Sequence, residues 1–134
     1  MNILNYSRRD ASWQPGLAAG PFDAALGAVL QRLCTAEFYA INPELSHPGI
    51  LQALIEREAQ RCTAVGHGIA FPHARLEHLR QPLFAVATFK EPVRFGDEPV
   101  RIVCLFLVPV SEPSVSIKLM SQLSRLLMDA TARE

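Results

Sequence analysis

The sequence predicts an α/β sandwich in a single domain, a mixed β-sheet flanked by helices, and three features carry that expectation. Helical and extended patterns alternate along the chain, no linker, repeat or low-complexity tract divides it, and hydrophobic residues make up 49% of it against 19% charged. A length of 134 residues suits one core; two independent cores would each be too small to hold.

Residues 1–20 carry Trp13, Pro15, Gly16 and Gly20 among polar and small residues. They read as a poorly defined lead-in, either irregular or an edge strand. Pro21 then stands where a first helical turn tolerates it, and Asp23 suits the positive end of a helix. Phe22, Ala25, Leu26, Val29, Leu30 and Leu33 follow at helical spacing, predicting a helix to about Glu37. Gly27 inside it costs about 1 kcal/mol relative to alanine. Ser46-His47-Pro48 is a cap followed by a first-turn proline, and Ile50, Leu51, Leu54 and Ile55 continue a second helix to near Gln60.

Residues 62–74 read as short extended segments separated by Gly66 and Gly68. Residues 83–89 form a strand-like apolar run that Pro92 is expected to stop, and residues 101–108 form a second that ends at Pro109. Gly96-Asp97 supplies the turn between them. Ile117, Leu119, Met120, Leu123, Leu126 and Leu127 fit a last amphipathic helix, with serines around Ser114 available to cap it.

Thirteen basic residues balance thirteen acidic ones, which argues against a broad electrostatic footprint for nucleic acid. The three cysteines, Cys34, Cys62 and Cys104, form neither a disulfide framework nor a zinc-site spacing, so reduced thiols in a cytoplasm are expected. Cys62 is expected to be a small buried thiol. The first ten residues lack the apolar stretch of a signal peptide, and the longest apolar run is far too short to span a bilayer. A cytoplasmic protein without membrane insertion follows as the expectation.

One segment concentrates chemistry. Gly66 and Gly68 bracket His67 and permit positive φ, so their exposed N–H groups suit an anion cradle. Pro72 holds the backbone before His73 extended and stiff. Arg57 lies near the end of the preceding helix with Arg61 one turn later. Neutral imidazole is a nucleophile at physiological pH, and a guanidinium beside it suits a site that holds a phosphoryl group. His73 is therefore a candidate phosphate acceptor. Neither a Walker loop nor a dinucleotide fingerprint is present, so the expected donor is a phosphorylated partner protein. Each feature also has a structural alternative: a satisfied structural histidine, a glycine pair in a bulge or turn, an arginine on a solvated helix face. His67, His73 and His78 lack a carboxylate or thiolate at a recognised metal spacing. No metal or cofactor is expected.

The series Arg57, Glu58, Thr63, Gly66, Gly68, Ile69, Ala70, Pro72 and His73 resembles the active-site segment of the fructose/mannitol-type EIIA proteins of the bacterial phosphotransferase system. The likeness extends through Glu91-Pro92-Val93-Arg94-Phe95, Pro99-Val100 and Leu105-Phe106-Leu107-Val108-Pro109, and covers about Leu26 to Asp129. His73-Ala74-Arg75-Leu76 and the Leu-Val-Pro strand end look most like the nitrogen-regulatory branch. The resemblance implies the mannitol-specific EIIA type of fold over residues 1–134, with His73 phosphorylated, Arg57 stabilising the phosphate, and Thr63, Gly66 and Gly68 lining the pocket. It implies a phosphoryl carrier rather than a stand-alone turnover enzyme. The implied donor is a phosphocarrier protein, HPr or NPr, and the implied acceptors are regulatory targets or an EIIB domain.

Three departures from the family pattern stand out. Ser116, with Lys118 close by, occupies the place of a usual second histidine, and the two are expected to line the phosphate pocket, Ser116 with a hydrogen bond and Lys118 with positive charge. Ala64 replaces a glycine, which distorts the loop if positive φ is needed there, and the usual final helix after Asp129 is expected to be missing. Three readings follow: a regulatory phosphohistidine relay, an EIIA component of fructose- or mannitol-type uptake, and a binding module that is not phosphorylated.

Overall fold

The structure is a computed structural model that describes residues 11–111 continuously, together with Ser114, Lys118, Ser121, Gln122 and Arg125. Its elements run β1 (Ala11–Leu17), α1 (Phe22–Leu33), α2 (Ala36–Ile41), α3 (His47–Gln60), β2 (Ala64–Gly66), β3 (Ile69–Ala70), β4 (His73–Leu76), β5 (Leu83–Phe95) and β6 (Glu98–Pro109). The strands form one mixed sheet in the order β1-β5-β6-β3-β2, with β4 also alongside β6.

Strands β5 and β6 are the spine. They pair antiparallel from Leu83↔Leu107 to Phe95↔Glu98, and Gly96 turns the chain at φ 62°. Pro92 does not stop β5. Phe89 to Pro92 stand against Arg101 alone in a bulge, after which pairing resumes at Val93↔Val100. A proline lacking its N–H is tolerated at such a bulge because no ladder bond is asked of it there. In the described part of the lead-in, β1 is an edge strand, parallel to β5, with its register shifting between Gln14 and Leu17 around Pro15 and Gly16.

Helix α1 ends earlier than its periodicity predicts. Thr35 breaks it, because its hydroxyl accepts from Phe38 N at 3.4 Å and caps a new helix, α2. The start of α3 is as read: the Ser46 hydroxyl accepts from Gly49 N at 3.2 Å, with Pro48 in the first turn. Gly27 sits where α1 meets α3. A Cβ built there would lie 3.6 Å from Leu51 Cδ2 and 3.8 Å from His47 Cε1, and the Gly27 carbonyl lies 3.1 Å from His47 Nε2.

One face of the sheet carries Ala70, Ala74, Ala85, Ala87, Val103, Leu105 and Leu107 beneath Leu26, Val29, Leu30, Ile50 and Leu54 of the helices, all in one buried cluster. Alanines on the sheet leave room for the leucines above them. The opposite face is also apolar, with Phe84, Val86, Cys104, Phe106 and Val108 buried. Burial on both faces explains why β5 and β6 read as continuous apolar runs rather than alternating ones.

Ser114, Lys118, Ser121, Gln122 and Arg125 are helical, and Ser114, Lys118, Ser121 and Arg125 are exposed at helical spacing. The apolar positions predicted for that helix, residues 1–10 and the region after Asp129 lie outside the described residues. None of the described helices is long and apolar enough to cross a membrane.

Candidate functional site

Strands β3 and β4 lie end to end along one edge of β6, at Ile69↔Ile102 and His73↔Phe106, and Phe71-Pro72 separates them. Pro72 has no N–H to extend the ladder, but its carbonyl accepts from Phe106 N at 3.0 Å, so β4 restarts in register. His73 is the first residue after that break.

The imidazole is fixed on two sides. Its Nδ1 lies 2.9 Å from the Phe71 carbonyl oxygen. A carbonyl only accepts, so Nδ1 carries the hydrogen and, in the neutral ring, Nε2 keeps its lone pair. The ring stacks on Phe106, with centroids 4.8 Å apart and planes within 4°. Burial pushes the His73 pKa below its ordinary 6.5; the Phe71 carbonyl works against this, the Arg57 and Arg75 guanidinium groups add to it, and Glu58 opposes them. The site therefore presents an oriented, unprotonated Nε2 at neutral pH.

Arg57 occupies the last turn of α3, where a cation is favoured by the helix dipole. Its Nη1 donates to the Arg61 carbonyl at 3.1 Å, just past the helix end. A guanidinium has five N–H donors, so others remain to meet phosphoryl oxygens. Arg61 itself serves as the C-cap, and its side chain is exposed.

Glu58 has a role that its place in the sequence string did not reveal. Its carboxylate accepts from Thr63 N and from Thr63 Oγ1, both at 2.6 Å. The Thr63 carbonyl in turn accepts from Phe71 N at 3.1 Å. A continuous path of hydrogen bonds thus leads from α3 through Thr63 and Phe71 to Nδ1 of His73. The Thr63 hydroxyl hydrogen is committed to Glu58, so in this state Thr63 acts as a support. One signal did exist: a carboxylate in the last turn of a helix is disfavoured by the dipole unless it has a partner beyond the helix end.

The structure places Gly66 and Gly68 at the opposite end of this segment from His73. Gly66, His67 and Gly68 have φ of 90°, 57° and 74°, and His67-Gly68 forms the two-residue turn between β2 and β3. The Gly68 carbonyl accepts from Arg101 N and Ile102 N, whereas His73 pairs with Phe106. At about 3.3 Å per residue, that register sets the turn roughly 15 Å from His73. The glycines build the hairpin and do not touch the imidazole. Ala64 pairs with Ala70 in β2 and is not among the positive-φ residues, so it imposes no strain.

Lys118 is exposed on its helix, and Ser116 lies outside the described residues. Cys62, expected to be buried, is exposed, with its Sγ 3.6 Å from the Phe95 carbonyl oxygen. His78 pairs with Glu44 at 2.9 Å, far along the chain from His67 in its turn. Among the described residues no three His, Cys, Asp or Glu side chains gather into a metal-binding group.

Residues 24–134 match the family model described as phosphoenolpyruvate-dependent sugar phosphotransferase system, EIIA 2. The chain is 37% identical over 87 residues to the "PTS system fructose-specific EIIA component" of Haloferax volcanii, covering 63% of this chain and 56% of that protein. It is 33% identical over 95 residues to the "Nitrogen regulatory protein" of Pseudomonas aeruginosa, covering 69% and 62%. The chain thus spans between half and two thirds of the length of these two relatives. Among solved structures, the nitrogen regulatory protein IIA-Ntr of Neisseria meningitidis superposes with a TM-score of 0.67 at 25% identity, over 86% of this chain and 75% of that one. The Escherichia coli complex of mannitol enzyme IIA with phosphorylated enzyme IIB matches at TM-score 0.62 and 20% identity, over 92% and 81%, a likeness of fold alone.

Proposed function

The chain belongs to the EIIA type-2 family of the phosphoenolpyruvate-dependent sugar phosphotransferase system, and from that premise we propose that it is a phosphohistidine relay whose acceptor atom is Nε2 of His73. The observation that carries the proposal is the Nδ1–H bond to the Phe71 carbonyl, which leaves Nε2 as the free nucleophile within the electrostatic reach of Arg57. In the transfer step, the Nε2 lone pair forms the bond to phosphorus while the P–N bond to the donor's imidazole breaks and its electron pair returns to that ring. The proton on Nδ1 of His73 stays in place. Arg57 meets charge on the phosphoryl oxygens, and little further chemistry is asked of the protein.

The donor is a cytoplasmic phosphocarrier protein of the HPr or NPr kind. The phosphorylation state then selects which regulatory partner is bound, since a dianion on a half-buried rim changes both charge and desolvation cost. Likeness to a nitrogen regulatory protein supports this regulatory role. Likeness to a fructose-specific EIIA component favours a second reading, in which His73 passes its phosphoryl group to an EIIB domain during sugar uptake.

Incubation with enzyme I, a carrier protein and phosphoenolpyruvate tests the proposal by intact mass. An acid-labile phosphoryl adduct is expected on the wild type and none on His73→Ala. An unmodified wild type would leave a non-phosphorylated binding module as the better description. Efficient discharge onto an EIIB domain would favour the uptake reading over the regulatory one.

A further inference from the structure

Two residues beyond the acceptor, on the same short strand, stands an arginine that the relay as described does not use. His73 and Arg75 alternate with Ala74 and Leu76 along β4. Ala74 and Leu76 point into the core cluster, so His73 and Arg75 share the other face. Their partners on β6 are Phe106 and Val108, which fix the two side chains side by side, with Cβ atoms roughly 7 Å apart. Arg75 is exposed, and among the described residues its guanidinium has neither a hydrogen-bond nor a carboxylate partner.

Local charge shows what this arginine is for. Arg57 brings one positive charge to the imidazole, and Glu58, held by Thr63 at the same helix end, brings one negative charge. The two offset each other. A phosphoryl group on Nε2 adds about −1.5 to −2, and among the described residues whose charge acts on the imidazole, the cation not already offset is Arg75. A guanidinium on a flexible stem spans the distance to a phosphoryl oxygen from a neighbouring position on the same strand face, and does so with paired N–H donors.

We infer that Arg75 is a second phosphate-binding residue, closing with Arg57 a two-guanidinium clamp on the phosphoryl group of His73. The inference rests on the phosphohistidine relay proposed above. Arg57 approaches from the end of α3 and is tethered to the Arg61 carbonyl. Arg75 approaches from the exposed side, where a donor protein arrives and leaves, so it also meets the phosphoryl group in transit.

The test uses the full chain as wild type, Arg75→Gln and Arg75→Lys. Three quantities are read: the initial rate of phosphorylation by a phosphorylated carrier, the half-life of the adduct, and the His73 pKa by NMR titration of the ring nitrogens. Arg75→Gln is expected to slow transfer roughly tenfold and to shorten the half-life, the loss of one charge-assisted contact. It should also raise the His73 pKa, because a cation that disfavours imidazolium is gone. Arg75→Lys should restore the pKa but only part of the half-life, since an ammonium cannot pair with two oxygens. Wild-type rate and half-life in Arg75→Gln, on a wild type that does take phosphate, would overturn the clamp alone. A wild type that takes no phosphate would overturn the relay and the clamp together.

Discussion

At His73, burial and two guanidinium groups act in the same direction, and that direction sets the pH dependence of the site. In the proposed relay the neutral ring is the nucleophile, and its pKa lies below 6.5, so transfer should be developed at pH 7 and fall only below 6.5. Stability follows the same sign. Below pH 6.5 the unfolded chain takes up a proton that the folded imidazole refuses, so His73 costs stability as pH falls toward its folded pKa and nothing above 6.5. Single-turnover phosphorylation rates between pH 5 and 8, compared with His73→Ala unfolding curves, check both. A rate profile centred at 6.5 or higher would mean the ring is not desolvated as the structure has it. The thiols allow a second prediction at this scale. Burial pushes Cys34 and Cys104 to about 12, whereas Cys62 is exposed. Iodoacetamide on the native protein should add one group quickly, at Cys62, and the other two only on unfolding. Rapid addition of more than one group would contradict the burial of the other two.

At the scale of elements, Glu58 joins α3 to the start of β4 at His73, and its removal should be felt at both ends of the path. Glu58→Ala leaves Thr63 N and Oγ1 without their acceptor, which should cost about 2–3 kcal/mol by urea unfolding. It should also lower the His73 pKa, because Glu58 is an anion that raises it; an unchanged pKa would sever Glu58 from the site. Gly27 gives a prediction that changes sign with size. The space at its Cβ position is ordinary van der Waals contact with Leu51 and His47. Gly27→Ala should therefore stabilise α1 by about 0.5–1 kcal/mol through helix propensity, while Gly27→Leu overfills the α1–α3 contact and destabilises. Thermal unfolding of both variants settles the order. These elements also show what was legible in the sequence. Caps and periodicity located α1 and α3, and apolar runs located β5 and β6. Helix α2 was missed because its six residues are too short for a period to show, and its signal is the single hydroxyl of Thr35. Strand β1 was blurred by Pro15 and Gly16, and the far half of β5 by Pro92, because a bulge is a tertiary arrangement that one strand's sequence does not display. His73 and Arg57 could be read from residue chemistry and family likeness. The Glu58–Thr63–Phe71 path could not, since it joins a helix end to a strand break through backbone groups that every residue carries.

For the whole molecule, the decisive number is a charge that sums to zero. Thirteen basic and thirteen acidic residues give a formal net charge of +0 and a sequence pI near 6.9. At pH 7 the unmodified protein therefore has almost no monopole to steer or repel a partner, and encounter is governed by local groups such as Arg57, Arg75 and Glu58. A phosphoryl group on His73 changes this by about −1.5 to −2 in one step, against a formal net charge of +0. The sign of the whole molecule is then set by its phosphorylation state. Anion-exchange chromatography at pH 7 should show it directly. The unmodified protein should pass near the void, the phosphorylated form should be retained, and acid treatment that hydrolyses the adduct should return it to the first position. The separation should shrink as salt is raised, because exposed charge is screened within about 10 Å at 0.1 M. A phosphorylated form that co-elutes with the unmodified one at low salt would mean that bound protons cancel the added charge, and partner selection would then have to rest on shape at the His73 rim rather than on charge.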